Sequence, residues 1–363
     1  EMGKIARRCS IQATVKLQYR DLDTFIHPDY RQRKDAKHIP RFLATALTAD
    51  QFHRMVEAIR EEGMVTMVTP FDERSVEQCL EHGVDILKLG SCSATDWPLL
   101  EEIAATGRPV VVSTGGLQIY DIDSLASFFT HKGNDFALMH CVGVYPAPNN
   151  LLHLNFITKL RNRYPEIPIG WSGHEAPGNL DPVRIAVAKG AQLLERHVGI
   201  STNTSTLNEY SMTPEQAEAW VNAALTAKQI CGDPGNKSIT QEERESLLSL
   251  KRGVFSRRAL ARGEKITRTD VFFAMPCGEE QLTSGEFGRY RANYIASRDY
   301  AANAPIHEFA QVDPITKVRG IVHDVKGLLY EAHIVLGKNI QLELSHHYGL
   351  DQFRRAGATI VNV

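Results

Sequence analysis

The chain has no hydrophobic run that approaches the roughly 18 residues needed to cross a bilayer, and no signal peptide is visible. A membrane-spanning protein is excluded as the expectation. Cysteine pairs are missing too: Cys9, Cys79, Cys92, Cys141, Cys231 and Cys277 lie far apart, with no Cys-x-x-Cys and no disulfide-like spacing. A reduced, cytoplasmic setting is expected. Charge of one sign is also lacking, since the formal net charge is -2. Binding that works by neutralising many phosphates, as on nucleic acid, is therefore not expected, and any anion site must be local. Finally, no strand-like run is followed by Gly-x-Gly-x-x-Gly, which weighs against an open, doubly wound dinucleotide-binding sheet.

What is present is an ordinary globular composition over 363 residues, 43% hydrophobic and 23% charged. That length suits one large core plus one or two small modules. Seven β-rich runs alternate with helical patterns: 13–18, 64–70, 86–91, 109–115, 136–142, 167–174 and 193–199. Thr48 with Gln51 forms a capping box, Asp181-Pro182 opens a further helix, and Thr213, Pro214 and Gln216 open the last. Gly63, Gly107, Gly133 and Gly190 mark helix stops. Consecutive βα units on this scale predict a (β/α)8 TIM barrel in an α/β chain. Residues 1–9 read as the end of a helix with no strand before it, so the first strand is expected to be missing. The chain starts at Glu1 and ends inside a strand-like Val-Asn-Val, and both ends read as cut. The expected divisions are a barrel over 1–232, a polar linker over 233–250, a small β-rich module over 251–311 and a partial C-terminal segment over 312–363.

Barrel active sites lie at the carboxyl ends of the strands. The side chains ending these runs are Lys16 and Gln18, Thr69, Lys88 and Ser91, Ser113, Ser172 with His174, and His197. Two lysines and several hydroxyls converging on one mouth suit a phosphate or carboxylate. Two histidines on adjacent strands suit one divalent metal with open positions. Taken singly, the lysines could be solvated rim charges and the hydroxyls helix caps; their recurrence favours a site. His140 reads as a hydrogen-bonded core histidine. Glu195 shares a face with His197, to orient a ligand or pair with a lysine.

The order of these motifs carries a resemblance. Val15-Lys-Leu-Gln18, Thr69-Pro-Phe-Asp72, Leu87-Lys-Leu-Gly-Ser91, Pro109-Val-Val-Val-Ser-Thr-Gly115, Met139-His-Cys-Val-Gly-Val-Tyr-Pro146, Ile169-Gly-Trp-Ser-Gly-His174 and Leu194-Glu-Arg-His197 resemble the sialic acid (N-acetylneuraminate) synthase family. The match covers nearly all of 11–232. The resemblance implies condensation of phosphoenolpyruvate with an N-acylated amino-sugar aldehyde, N-acetylmannosamine-like, to give a nonulosonic acid and phosphate. Carried over, it puts Lys16, Gln18, Thr69, Lys88, Ser91, Ser113 and Ser172 on phosphoenolpyruvate, with Lys16, Lys88 and Tyr145 in catalytic positions. His174 and His197 fall on ligands for a divalent metal, manganese (Mn2+) or magnesium (Mg2+).

Residues 251–311 resemble the family's antifreeze-like (SAF) module, which implies a homodimer whose small domain covers the partner active site. The last segment resembles the connection into a cupin domain, with His346 and His347 read as structural or surface residues. Ser93, Gly143, Asn208 and, in the small module, Met275 depart from the family pattern on the sugar side. They leave the acceptor open. The other readings of the same residues are a Schiff-base aldolase using Lys88 or Lys16 and a non-catalytic sugar-phosphate-binding relative.

Overall fold

The structure is a computed structural model that describes residues 1–307 except 34, 37, 203–205, 234, 236 and 290–293, together with 323–325, 327, 343–345 and 360–362. The chain divides into two compact units, Glu1–Gly232 and Asp233–Val363. His346 and His347 lie outside the described residues.

The first unit is built on seven strands: β1 (Thr14–Tyr19), β2 (Val65–Pro70), β3 (Ile86–Leu89), β4 (Val110–Ser113), β5 (Phe136–Cys141), β6 (Ile169–Ser172) and β7 (Leu193–Glu195). They pair in parallel in strict chain order, β1 to β7. A doubly wound sheet would reverse direction at a switch point; this one never does. Crossovers of one hand, repeated, roll such a sheet toward a barrel. The curl is visible in the side chains, because Glu195 on the last strand reaches Lys16 on the first at 3.0 Å.

Period-two alternation sorts the strands into two faces. Val68, Leu87, Leu89, Val110, Val112, Leu138, Ile169 and Trp171 are buried in the main core with helix residues such as Val56, Leu99, Ile103, Ile122, Phe129 and Ile157. The alternate residues Met67, Val111, Ala137 and Met139, with Ile86 and Leu193 beside them, form a smaller apolar cluster. Two residues further along the same face come Thr69, Lys88, Ser113, Cys141 and Glu195. The inner face therefore has an apolar layer followed by a polar one nearer the carboxyl ends.

The helix starts are largely as expected. Thr48 and Gln51 form a reciprocal capping box on Ala49–Glu61, and Thr213 and Gln216 do the same on Pro214–Cys231. Asp181 is the first helical residue of Asp181–Ala188, one place later than a cap. The strands stop earlier than the β-rich runs suggest: the sixth ends at Ser172 and the seventh at Glu195. Hydrogen bonding beyond them passes to loops, as where Val198 bridges Met212.

The second unit has a small core of its own, from Val254, Leu260, Ile266, Val271, Leu282, Phe287 and Tyr294 to Ile306. Antiparallel pairs join β8 (Gly253–Ser256) to β10 (Val271–Ala274) and β9 (Lys265–Ile266) to β11 (Tyr294–Ile295). Within the stretch read as a linker, Gln241–Leu250 is helical. The reason is local: Thr240 caps it, acids fill its first turn, and the run contains no Gly or Pro. Glu343–Ser345 and Ile360–Asn362 form a parallel pair.

Candidate active site

One carboxylate organises the polar layer. Lys16 Nζ lies 3.0 Å from Glu195 Oε1 and Lys88 Nζ lies 3.3 Å from Glu195 Oε2. Ser172 Oγ donates to Glu195 Oε1 at 2.7 Å. Strand register explains the last contact, since Ser172 and Glu195 are direct partners on β6 and β7. The Lys88 side chain is 1% exposed, a position that an isolated ammonium would not tolerate. Burial pulls the Lys88 ammonium down, opposed by the Glu195 charge. Burial alone would raise the Glu195 carboxyl, but Lys88, Lys16 and the Ser172 hydroxyl hold it well below the usual carboxylate range. Two cations thus share one anion.

Around this cluster several hydroxyls are buried. Among the described residues Thr69 Oγ1 has no hydrogen-bond partner, and Ser113 is 6% exposed. Ser91 lies in a short 3-10 turn, Ser91–Ser93, beyond the strand in which the sequence reading placed it. There its Oγ accepts from Gly115 N at 3.1 Å and sits 3.2 Å from Cys141 Sγ. Gln18 is on the exposed end of β1 and accepts a 3.3 Å bond from Arg20. Arg20 is itself stacked on Phe71 and Phe42, 3.6 Å and 4.2 Å from the ring centres, which fastens the segment after β1.

His174 and His197 come together just past the ends of β6 and β7. Continuing the Ser172–Glu195 register by two residues puts them opposite each other, and their ring centres are 5.4 Å apart. Burial, then the neighbouring His197, push the His174 imidazole down to about 4. Burial, then Lys16, take His197 down to about 4 as well. Both rings are neutral at pH 7, the form that coordinates metals. His174 Nδ1 lies 3.2 Å from the Val142 carbonyl. As donor there, it leaves Nε2 as the acceptor nitrogen.

Tyr145 packs its half-exposed ring 4.4 Å from His174. His140 is buried with Nε2 2.9 Å from the Leu152 carbonyl, as a core histidine should be. Tyr210 was not foreseen: its ring centre lies 5.1 Å from His197, 6.1 Å from His174 and 5.2 Å from Tyr145. It sits in a loop without periodicity, and nothing in the sequence distinguished it from other tyrosines. Nothing in the sequence singles out Glu175 and Arg196, which form a buried ion pair behind the histidines. Among the described residues no group of three or more His, Cys, Asp or Glu gathers as a metal cage.

The first unit resembles known proteins throughout. A crystal structure described as a spore coat polysaccharide biosynthesis protein E from Chromobacterium violaceum superposes with TM-score 0.81 at 42% identity, over 86% of this chain and 94% of that one. A Methanocaldococcus jannaschii protein described as uncharacterized is 29% identical over 278 residues, 76% of this chain and 79% of its own. The N-acetylneuraminate-9-phosphate synthase of Drosophila melanogaster is 31% identical over 181 residues, 49% of this chain and 48% of its own. Residues 4–236 match the NeuB family, a span that takes in all seven strands and every side chain of the lysine–carboxylate and histidine clusters. The chain belongs to the NeuB family.

Proposed function

We propose that this chain carries the site of a nonulosonic acid synthase, which condenses phosphoenolpyruvate with an N-acylated amino-sugar aldehyde and releases phosphate. The observation that carries the reading is the excess of positive charge at the inner polar layer, where Lys16 and Lys88 share the single carboxylate of Glu195. A phosphate or carboxylate entering there meets two ammonium groups, the unpartnered Thr69 hydroxyl and the hydroxyls of Ser91, Ser113 and Ser172. Such groups, fixed before the substrate arrives, stabilise developing charge without reorganising, a contribution that reaches several kcal/mol. Gln18 adds an amide on the open side. Membership of the NeuB family and the synthase named among the relatives support the reaction class.

His174 and His197 suit a divalent cation, Mn2+ or Mg2+, in being neutral, close and partly oriented by a backbone carbonyl. With two protein ligands, positions stay open for substrate oxygens. A bound cation supplies Lewis-acid polarisation of the aldehyde. Tyr145 borders the same space and would orient the acceptor. The bond formed joins the methylene carbon of phosphoenolpyruvate to the aldehyde carbon; water adds at the neighbouring carbon, and phosphate leaves with carbon–oxygen cleavage.

In this reading the seven strands belong to an eight-stranded barrel. The second unit is an antifreeze-like module that covers the partner site in a homodimer, and the enzyme works in the cytoplasm. No helix among the described residues is long and apolar enough to cross a membrane. Buried Lys88, its ammonium pulled down, is the feature that a Schiff-base aldolase would use. Phosphate release separates the readings when phosphoenolpyruvate and Mn2+ are supplied with a panel of amino-sugar aldehydes. Acceptor-dependent release is expected; no release with any acceptor, or a lysine adduct trapped by borohydride with pyruvate, overturns it.

A further inference from the structure

Behind the two imidazoles lies a pair of charges that the proposed chemistry does not use. Arg196 Nη1 and Glu175 Oε2 are 2.7 Å apart, and each side chain is 1% exposed. Each residue is the chain neighbour of one histidine, Glu175 of His174 and Arg196 of His197. Glu195 and His197 face Lys16 and His174, while Arg196 between them faces Glu175. Arg196 Nη2 donates in addition to the Glu175 carbonyl at 2.7 Å and to the Tyr210 carbonyl at 3.4 Å. One guanidinium therefore ties together the segment after β6, the end of β7 and the loop that places Tyr210 against both histidines. The fit is close: a Cβ at Gly173 would stand 2.5 Å from Glu175 Oε2 and 2.9 Å from Trp171 Nε1.

Stability alone does not account for this pair. Among the described residues neither Glu175 carboxylate oxygen, nor Arg196 Nε or Nη1, has a hydrogen-bond partner, and an ion pair buried with so few supporting hydrogen bonds recovers little beyond its desolvation cost. An apolar pair of similar volume would hold the fold as well. What the pair adds is position, because Arg196 Nη2 bonds two backbone carbonyls while the charge of Glu175 holds Nη1, so that one planar guanidinium ties together the backbone segments on which the histidines are carried.

We infer that Arg196 and Glu175 are positioning residues, a strut that holds His174 and His197 at the spacing of a two-histidine cation site. The inference rests on the metal reading proposed above. It is tested by Mn2+ titration of the full chain, following the spectroscopic signal of the free ion, with melting in chelator as the measure of folding. Arg196→Met combined with Glu175→Leu should melt at or above the parent and bind Mn2+ about 10- to 100-fold more weakly. Arg196→Lys keeps the charge but loses the fork, and should weaken Mn2+ binding if the double variant does not fold. Parental Mn2+ affinity in either folded variant overturns the strut and leaves the metal reading standing. A parent chain that binds no Mn2+ overturns both.

Discussion

At the scale of residues, what the sequence made legible was the polar layer. Lys16, Thr69, Lys88, Ser113 and Ser172 each follow a short apolar run at the parity that faces inward, so chemistry and period agreed. Glu195 was narrowed to two roles, and the structure assigns it the pairing with lysine, twice over. Contacts across the fold were not legible. Glu175 and Arg196 lie 21 positions apart in the sequence with no spacing that links them, while Tyr210 gains meaning only from the two rings beneath it. The neutral histidines carry a pH consequence. A histidine whose folded pKa lies below its ordinary value of 6.5 binds protons more readily unfolded. Its contribution to stability is therefore complete above pH 6.5 and lost as pH falls toward the folded value of about 4. Buried His140 shifts in the same direction, whereas the depressed Glu195 carboxyl keeps its full contribution down to its ordinary value of 4.5 and loses it only below that. In metal-free buffer the unfolding free energy should drop by on the order of 2 kcal/mol between pH 6.5 and 5. Joint replacement His174→Gln and His197→Gln should flatten that slope; an unchanged slope in urea titrations would count against neutral, buried imidazoles.

At the scale of elements, all seven strands lie where the alternating runs put them, and the ends are where prediction and structure part. The β-rich runs extend past β6 and β7, to His174 and Gly199, but the ladder stops at Ser172 and Glu195. Beyond that point the backbone bonds to loops and carries the histidines. A period-two pattern reports burial, and Gly173, His174 and Glu175 are buried in a loop beyond the end of β6. Ser91 shows the same effect, its hydroxyl set by a 3-10 turn after β3. The register that delivers Ser172 and His174 depends on Gly170. Any Cβ there would overlap Met139 Sδ and stand 2.7 Å from the Leu193 carbonyl. Gly170→Ala should therefore cost about 1–3 kcal/mol through overpacking and weaken anion binding at the strand ends. Stability and affinity equal to the parent would show that β5, β6 and β7 have slack that the geometry denies.

At the scale of the whole molecule, strict strand order argued for a rolled sheet before any side chain was considered, and the contact between Lys16 and Glu195 showed that the roll brings the first strand to the last. The helix within 233–250 was missed because its charged, polar sequence resembles a linker, and its cap lies just before the run. The central claim is that the polar layer is an anion site built by the fold, with Lys88 held inside it at a cost in solvation. Calorimetric titration of phosphoenolpyruvate into the metal-free chain tests it most directly. Binding competed by inorganic phosphate is expected, lost in Lys88→Met with the melting temperature preserved, and retained in His140→Ala with the melting temperature lowered. No binding by the parent, or undiminished binding by Lys88→Met, would contradict the account.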